Sequence, residues 1–220
     1  MQTFEGSRFT VCSDSKHEMG FDLYLSDKTG TPLRSFSAFQ RAYPDTAKYV
    51  RFGMNAGMFD GSGQPIGLFI FNDKVIHPLN TKRGRGNFYM QPNGVFTLKD
   101  GAYQIIPTGK FKLSPGIWIA TQSGPMLVID GKLNPAFAAD GPSRYVRNGV
   151  GLAANGQPVF VISEDPVSFG KFARFFRDRL RVRNALYLDG AVSSLWDPES
   201  HRRDRHSALG PLLIALEEQE

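Results

Sequence analysis

Short apolar runs broken by turn residues recur along the whole chain, and they leave little room for a helical fold. Arg8–Cys12, Phe21–Leu25, Tyr49–Met54, Ile66–Phe71, Gly94–Leu98 and Ala102–Ile106 are such runs in the first half. Met126–Ile129, Gly149–Ala153, Pro158–Ile162, Ala185–Leu188 and Leu212–Leu216 continue the pattern. Runs of this length, closed by Gly, Pro, Asn or Asp, read as strands. The chain holds 23 glycines and 14 prolines, which supply the turns between them. Asn155-Gly156, between two of the runs, is a hairpin signal. Only two stretches carry helical spacing. One spans Arg34–Tyr43 and is ended by Pro44. The other starts at Pro166, with Asp165 as its expected N-cap. Its Phe169, Phe172, Ala173, Phe176 and Leu180 share a face. That helix joins Pro158–Ile162 to Ala185–Leu188, a strand-helix-strand crossover, so these two strands are expected to be parallel neighbours ending at one sheet edge. Glu164 and Asp189, just past the two strands, would then be close. The expected fold is α+β: one domain over residues 1–220, with a mixed, mostly antiparallel sheet, few helices and one crossover near the C-terminus. A chain of 220 residues is long enough for one substantial core.

Composition narrows the function classes. Hydrophobic content of 41% and charged content of 21% are ordinary for a globular chain. No segment approaches the roughly 20 apolar residues of a membrane helix. The net charge of +5 and pI near 9.4 suit anionic ligands. Arg174, Arg177, Arg179, Arg181 and Arg183, and likewise Arg202, Arg203 and Arg205, read as solvated surface. Lys82-Arg83-Gly84-Arg85-Gly86 is different, because a Gly-rich basic loop offers backbone amides and guanidinium forks to a phosphate. It lacks the Gly-Lys-Ser/Thr of a P-loop and completes no dinucleotide fingerprint. No nucleic-acid motif is present, and the aromatics sit in apolar patterns rather than between basic residues, so nucleic acid is not an expected partner.

Other motifs fail. Asp60-Gly61-Ser62-Gly63-Gln64 starts like a calcium loop, but its twelfth position is Phe71 where Glu is required. Gly-x-Ser-x-Gly is absent. His17, His77, His201 and His206 form no zinc pattern, so no metal and no cofactor is expected. Trp118 and Trp196 read as core residues. Cys12 is the only cysteine, which excludes an intrachain disulfide. Met1-Gln2-Thr3-Phe4 shows no basic or apolar leader region.

Chemistry concentrates in four segments. In Leu186–Trp196, LYLDGAVSSLW, an apolar run ends in Asp189-Gly190 and is followed by Ser193 and Ser194. In Met54–Ile70 an apolar run leads into Asn55-Ala56-Gly57. Gln122 and Ser123 precede Gly124-Pro125 and a strand, and Arg147 precedes another. Each residue stands where a strand meets a loop, so the side chains of Asn55, Gln122, Arg147, Glu164, Asp189 and Ser193 are expected to converge on one cleft.

Together these segments resemble the phosphodiester glycosidase family. Its pattern is an Asn-Gly-Gly-aromatic-Phe loop, a Gln-Ser/Thr-Gly-Pro strand start, an Arg before a strand, and a Leu-Asp-Gly-Gly-x-Ser-Ser terminus. The matching positions are Asn55–Phe59, Gln122–Pro125, Arg147 and Leu188–Ser194, and Gly86–Phe96 resembles a block of the bacterial secreted branch. The resemblance covers about Phe52 to Leu216. Ala56 and Ala191 stand in place of glycines and Met58 in place of the aromatic, which bears on the substrate more than on the reaction class. The resemblance implies a hydrolase that frees an N-acetylglucosamine-like sugar from a sugar-1-phosphodiester, acting on a phosphorylated glycan or a nucleotide-sugar-like molecule. For that chemistry Asp189 is the expected nucleophile, base or electrostatic partner, Glu164 past the crossover strand a second catalytic carboxylate, and Arg147 the catalytic phosphate ligand through its planar fork. Asn55, Gly57, Gln122, Ser123, Gly124, Gly190, Ser193, Ser194 and Arg85 are expected to bind substrate. The resemblance also implies a periplasmic or secreted protein whose leader has been removed. The rival reading is a non-catalytic module for anionic glycans or phosphorylated polymers. A carboxylate at Asp189 serves such a module poorly, since it repels anions.

Overall fold

The computed structural model describes residues 1–14 and 18–218. His17 lies outside the described residues. The apolar runs form three sheets. The first has seven strands in the order Gln2–Phe4, Ser7–Ser13, Pro158–Ser163, Asn148–Leu152, Ala185–Tyr187, Met126–Ile129, Lys132–Leu133. The second has five, Arg202–Arg203, Leu195–Asp197, Val50–Asn55, Leu212–Glu217 and Met19–Tyr24. The third has Lys74–His77, Phe69–Phe71, Ile117–Ser123, Gly94–Lys99 and Ala102–Pro107. The expected α+β class stands, with three sheets in place of one. Alternation explains the shared centre: Phe21, Phe52, Phe69, Phe96, Phe160 and Leu213, drawn from all three sheets, pack into one apolar cluster.

Two expectations need correction. Pro158–Ser163 and Ala185–Tyr187 run parallel but are not neighbours, because each pairs antiparallel with Asn148–Leu152 between them. A hairpin partner joined by the short Asn155-Gly156 turn takes the inner place that the longer crossover leaves open. The second helix starts later than expected, at Phe169–Arg174, with a π-helical continuation at Phe175–Arg179. Ser168 is its N-cap and accepts a hydrogen bond from the Lys171 amide at 3.1 Å. Asp165 instead meets the Arg8 backbone and guanidinium, a charge-assisted pairing that takes up its carboxylate three residues before the cap.

The strand Ile117–Ser123 was not expected, although it pairs on both sides in the third sheet. Its Trp118 points outward and is 48% exposed, whereas Trp196 is buried as expected. Strand alternation decides that difference. The placement of strand ends matters for function. Asn148 and Tyr187 lie at one edge of the first sheet, where Gly149 pairs with Tyr187. Asn55 ends its strand in the second sheet, opposite Leu212. Ser123 ends its strand in the third, opposite Gly94.

Candidate active site

The segment after Ala185–Tyr187 is tied to the second sheet through its backbone. The Asp189 amide donates to the Ala56 carbonyl at 3.2 Å, and Asn55 Nδ2 donates to the Asp189 carbonyl at 2.7 Å. Asn55 is itself held by Asn148, whose Nδ2 donates to the Asn55 carbonyl at 2.9 Å and to Oδ1 at 3.0 Å. The Ser194 amide donates to the same Oδ1 at 2.8 Å. Ser193 Oγ lies 3.1 Å from the Val146 carbonyl and 3.2 Å from Asn148 Oδ1. Asn55, Asn148, Ser193 and Ser194 are all buried. A satisfied polar cluster of this kind is rigid, because losing any member strands the others. It fixes the loop that carries Asp189.

The Asp189 side chain is half-buried. Its Oδ1 accepts from the Ala191 amide at 3.3 Å. Burial pushes its pKa up to about 6, with the Ala191 amide opposing weakly. Gly190 follows in close contact with Tyr187. A Cβ at this position would overlap the Tyr187 hydroxyl, so only glycine fits.

Tyr187 links Asp189 to Arg147. Arg147 Nη1 donates to the Tyr187 hydroxyl at 3.2 Å. Nε donates to the Val167 carbonyl at 2.8 Å, and Nη2 to the Ser143 carbonyl at 2.9 Å. The guanidinium stacks 3.6 Å above the Phe169 ring centroid. Arg147 is 0% exposed and has no carboxylate partner among the described residues. Burying an unpaired charge is costly, so the fold maintains it with hydrogen bonds and a ring face. Desolvation lowers its pKa. Tyr187 is pushed up to about 12 by burial, with the Arg147 charge opposing and Asp189 reinforcing the rise. Arg147 therefore stands behind Tyr187, with both prongs of its fork engaged by protein.

The remaining expected residues are placed as follows. Gln122 is buried and fully bonded: its Oε1 accepts from the Leu68 and Asn80 amides, each at 2.9 Å. Its Nε2 donates to the Asn80 carbonyl at 2.8 Å and to Thr108 Oγ1 at 3.1 Å. Gly57 packs against the Gln122 carbonyl, and Gly124 against Asn93. Ser123 Oγ and Asn93 Oδ1 are buried without hydrogen-bond partners. Glu164 takes a separate set of partners, accepting from Arg202 Nη1 and Thr10 Oγ1, each at 2.6 Å. No contact with Asp189 accompanies them. Arg85 is exposed on the basic loop. The structure thus joins Asn55, Ser193, Ser194, Gly190, Asp189 and Arg147 in one network, and sets Glu164 and Arg85 apart from it. Asn148 and Tyr187 escaped sequence reasoning, although each adjoins a residue it singled out. Among the described residues, no group of three or more His, Cys, Asp or Glu is placed to hold a metal ion.

The phosphodiester glycosidase family profile matches residues 48–207. The chain belongs to this family. It is 39% identical over 147 residues to uncharacterized protein YigE of Escherichia coli (strain K12), a match covering 67% of this chain and 58% of that protein. The chain thus spans less than two thirds of the length of this curated relative. Its fold is similar to the zebrafish N-acetylglucosamine-1-phosphodiester alpha-N-acetylglucosaminidase catalytic domain, auto-inhibited by its pro-peptide, with a TM-score of 0.58 and 14% identity. That likeness covers 97% of this chain and 89% of the other. The crystal structure of "Putative exported protein" from Burkholderia pseudomallei K96243 matches with a TM-score of 0.60 at 11% identity, covering 94% of this chain and 73% of its own. At these identities the two structures establish the shared fold. Among the described residues, no helix is long and apolar enough to cross a membrane.

Proposed function

We propose that this phosphodiester glycosidase hydrolyses a sugar-1-phosphodiester, with Asp189 as general base. The zebrafish relative's name specifies N-acetylglucosamine-1-phosphodiesters, and an N-acetylglucosamine-like sugar is the substrate we assign here. Water bonds to the anomeric carbon while Asp189 takes its proton. The C1–O bond breaks, and the phosphate monoester leaves with the electron pair. A phosphate needs little protonation to leave, so one carboxylate suffices, and Glu164 stays with Arg202 and Thr10.

The observation that carries the reading is the state of Asp189. A half-buried carboxylate with a pKa near 6 is a competent base close to neutral pH. Behind it, the buried Tyr187 hydroxyl accepts from Arg147 and lies directly beneath Gly190, so it supports the Asp189–Gly190 turn from inside. Arg147, buried and engaged by protein groups, serves the site by its charge and by fixing Tyr187 rather than by direct grip on phosphate. Asn55, Asn148, Ser193 and Ser194 hold this apparatus in place. Export to the periplasm or medium fits the name of the Burkholderia protein and belongs to the same proposal. The test is release of free sugar from a panel of sugar-1-phosphodiesters, beginning with UDP-N-acetylglucosamine. No release from any member by the well-folded protein would leave the glycan-binding reading.

A further inference from the structure

We propose that the groove between residues 58–66 and residues 77–89 is a subsite for an anionic glycan residue on the leaving-group side of the scissile phosphate. This rests on the reading of Asp189 as the catalytic base. The groove encloses about 420 Å³ and is lined in part by Asp60, Ile66, His77, Asn80, Lys82 and Tyr89.

It is a built feature. Gln122 clamps Asn80 from both sides, through its amide at 2.9 Å and its carbonyl at 2.8 Å. Asn80 in turn spends its side chain on the groove walls. Its Nδ2 donates to the Ile66 carbonyl at 2.7 Å, and its Oδ1 accepts from the Lys82 amide at 3.0 Å. Gln122 therefore acts as a positioning residue for this groove, with no bonding capacity left for substrate.

The groove adjoins the candidate active site. The Ile66 amide donates to the Met58 carbonyl at 3.1 Å, and Met58 lies two residues from Ala56, which holds the Asp189 amide. Ile66 and Tyr89 pack against the buried cluster that contains both Met58 and Tyr187. The groove wall at Ile66 is thus joined through Met58 and Ala56 to the backbone of the Asp189 loop.

Its charge is unspent. Lys82, Arg83 and Arg85 are exposed, and none forms an ion pair among the described residues. Arg174, Arg177 and Arg202 elsewhere each hold a carboxylate. The one carboxylate at the groove, Asp60, spends its Oδ1 on the Ser62 amide, the Ser62 hydroxyl and the Gln64 amide. The basic loop approaches the groove closely: a Cβ at Gly84, between Arg83 and Arg85, would come within 2.7 Å of the Tyr89 ring. Lys82 lines the groove, and Arg83 and Arg85 follow it in the same exposed loop, so this charge favours a ligand that brings further negative charge.

The test compares two substrates in the Lys82→Ala/Arg83→Ala/Arg85→Ala protein. UDP-N-acetylglucosamine carries an extra phosphate beyond the scissile linkage, and the methyl phosphodiester of N-acetylglucosamine-1-phosphate does not. The ratio of their kcat/KM values is expected to fall about 10-fold, the sum of three modest exposed contacts. The control Arg179→Ala/Arg181→Ala/Arg183→Ala removes equal charge from another exposed surface and should leave the ratio near the parent's. A parallel calorimetric titration with inorganic tripolyphosphate should show weaker binding in the first variant only. An unchanged substrate ratio, or equal loss in both variants, would overturn the subsite. Should neither substrate be cleaved, the glycosidase reading falls, and the tripolyphosphate titration still decides whether the groove binds anions.

Discussion

Asn55 Nδ2 donates to the backbone carbonyl of Asp189 at 2.7 Å, joining residues 134 positions apart in sequence. This bond makes the end of one sheet the support for the acid at the end of another. Because it acts on the backbone, it fixes the position of Asp189 without engaging the carboxylate. The same device recurs at Ala56, which holds the Asp189 amide.

Asp189→Asn is expected to lower turnover by about 100-fold or more while the circular dichroism spectrum is retained. In the parent, kcat/KM should rise with pH through an apparent pKa near 6, as Asp189 loses its proton. Near-normal turnover of a folded Asp189→Asn protein would remove Asp189 from the mechanism.

The same shift acts on stability, in the opposite direction. The Asp189 pKa is raised from 3.8 to about 6 on folding. Between these values the folded protein holds a proton that the unfolded chain has lost, so stability falls as pH rises through that window. Asp189→Asn should therefore be the more stable protein at pH 7, by up to about 3 kcal/mol. The gain should vanish below pH ~4. Urea melts at the two pH values measure it, and a pH-independent difference would contradict the burial of this carboxyl.

Arg147→Lys keeps the charge but cannot meet Val167, Tyr187 and Ser143 together. It should cost about 2–4 kcal/mol of stability and reduce turnover. Equal denaturation midpoints for the two proteins would show that the network around the guanidinium contributes nothing.

Asn148→Asp is nearly isosteric and reverses the hydrogen bonding. A carboxylate cannot donate to the two Asn55 oxygens that Asn148 Nδ2 now serves. We expect about 2–4 kcal/mol of destabilisation and a displaced Asp189 loop, seen as lost activity in the fraction that folds. Full activity with parent-like stability would show that Asn148 does not organise the site.

Ser168→Ala removes the N-cap of the Phe169–Arg174 helix, where Oγ accepts from Lys171. The expected cost is about 1 kcal/mol. Asp165→Ala should cost less, since its ion pair with Arg8 lies on the surface. The reverse order in thermal melts would restore Asp165 as the helix start.

The sequence by itself determined most of the strands, Ile117–Ser123 being the main one missed, because a side-chain period of two and closing turn residues are local properties. It also marked Asp189, Arg147, Asn55 and the two serines, since each stands where an apolar run meets a loop. Partners are not local. Nothing in the order of residues says that Asn148–Leu152 separates the two crossover strands, or that Ile117–Ser123 crosses the third sheet with Trp118 outward. Glu164 and Asp189 each follow a strand of the same crossover. One found Arg202 and Thr10, the other the Ala56 carbonyl and the Asn55 side-chain amide, because sheet pairing decides what lies beside a strand end. The burial of Arg147 depends on Phe169, Tyr187 and Ser143 arriving from three separate segments. Its role as a charge behind Tyr187 follows from that packing, which only the tertiary structure decided.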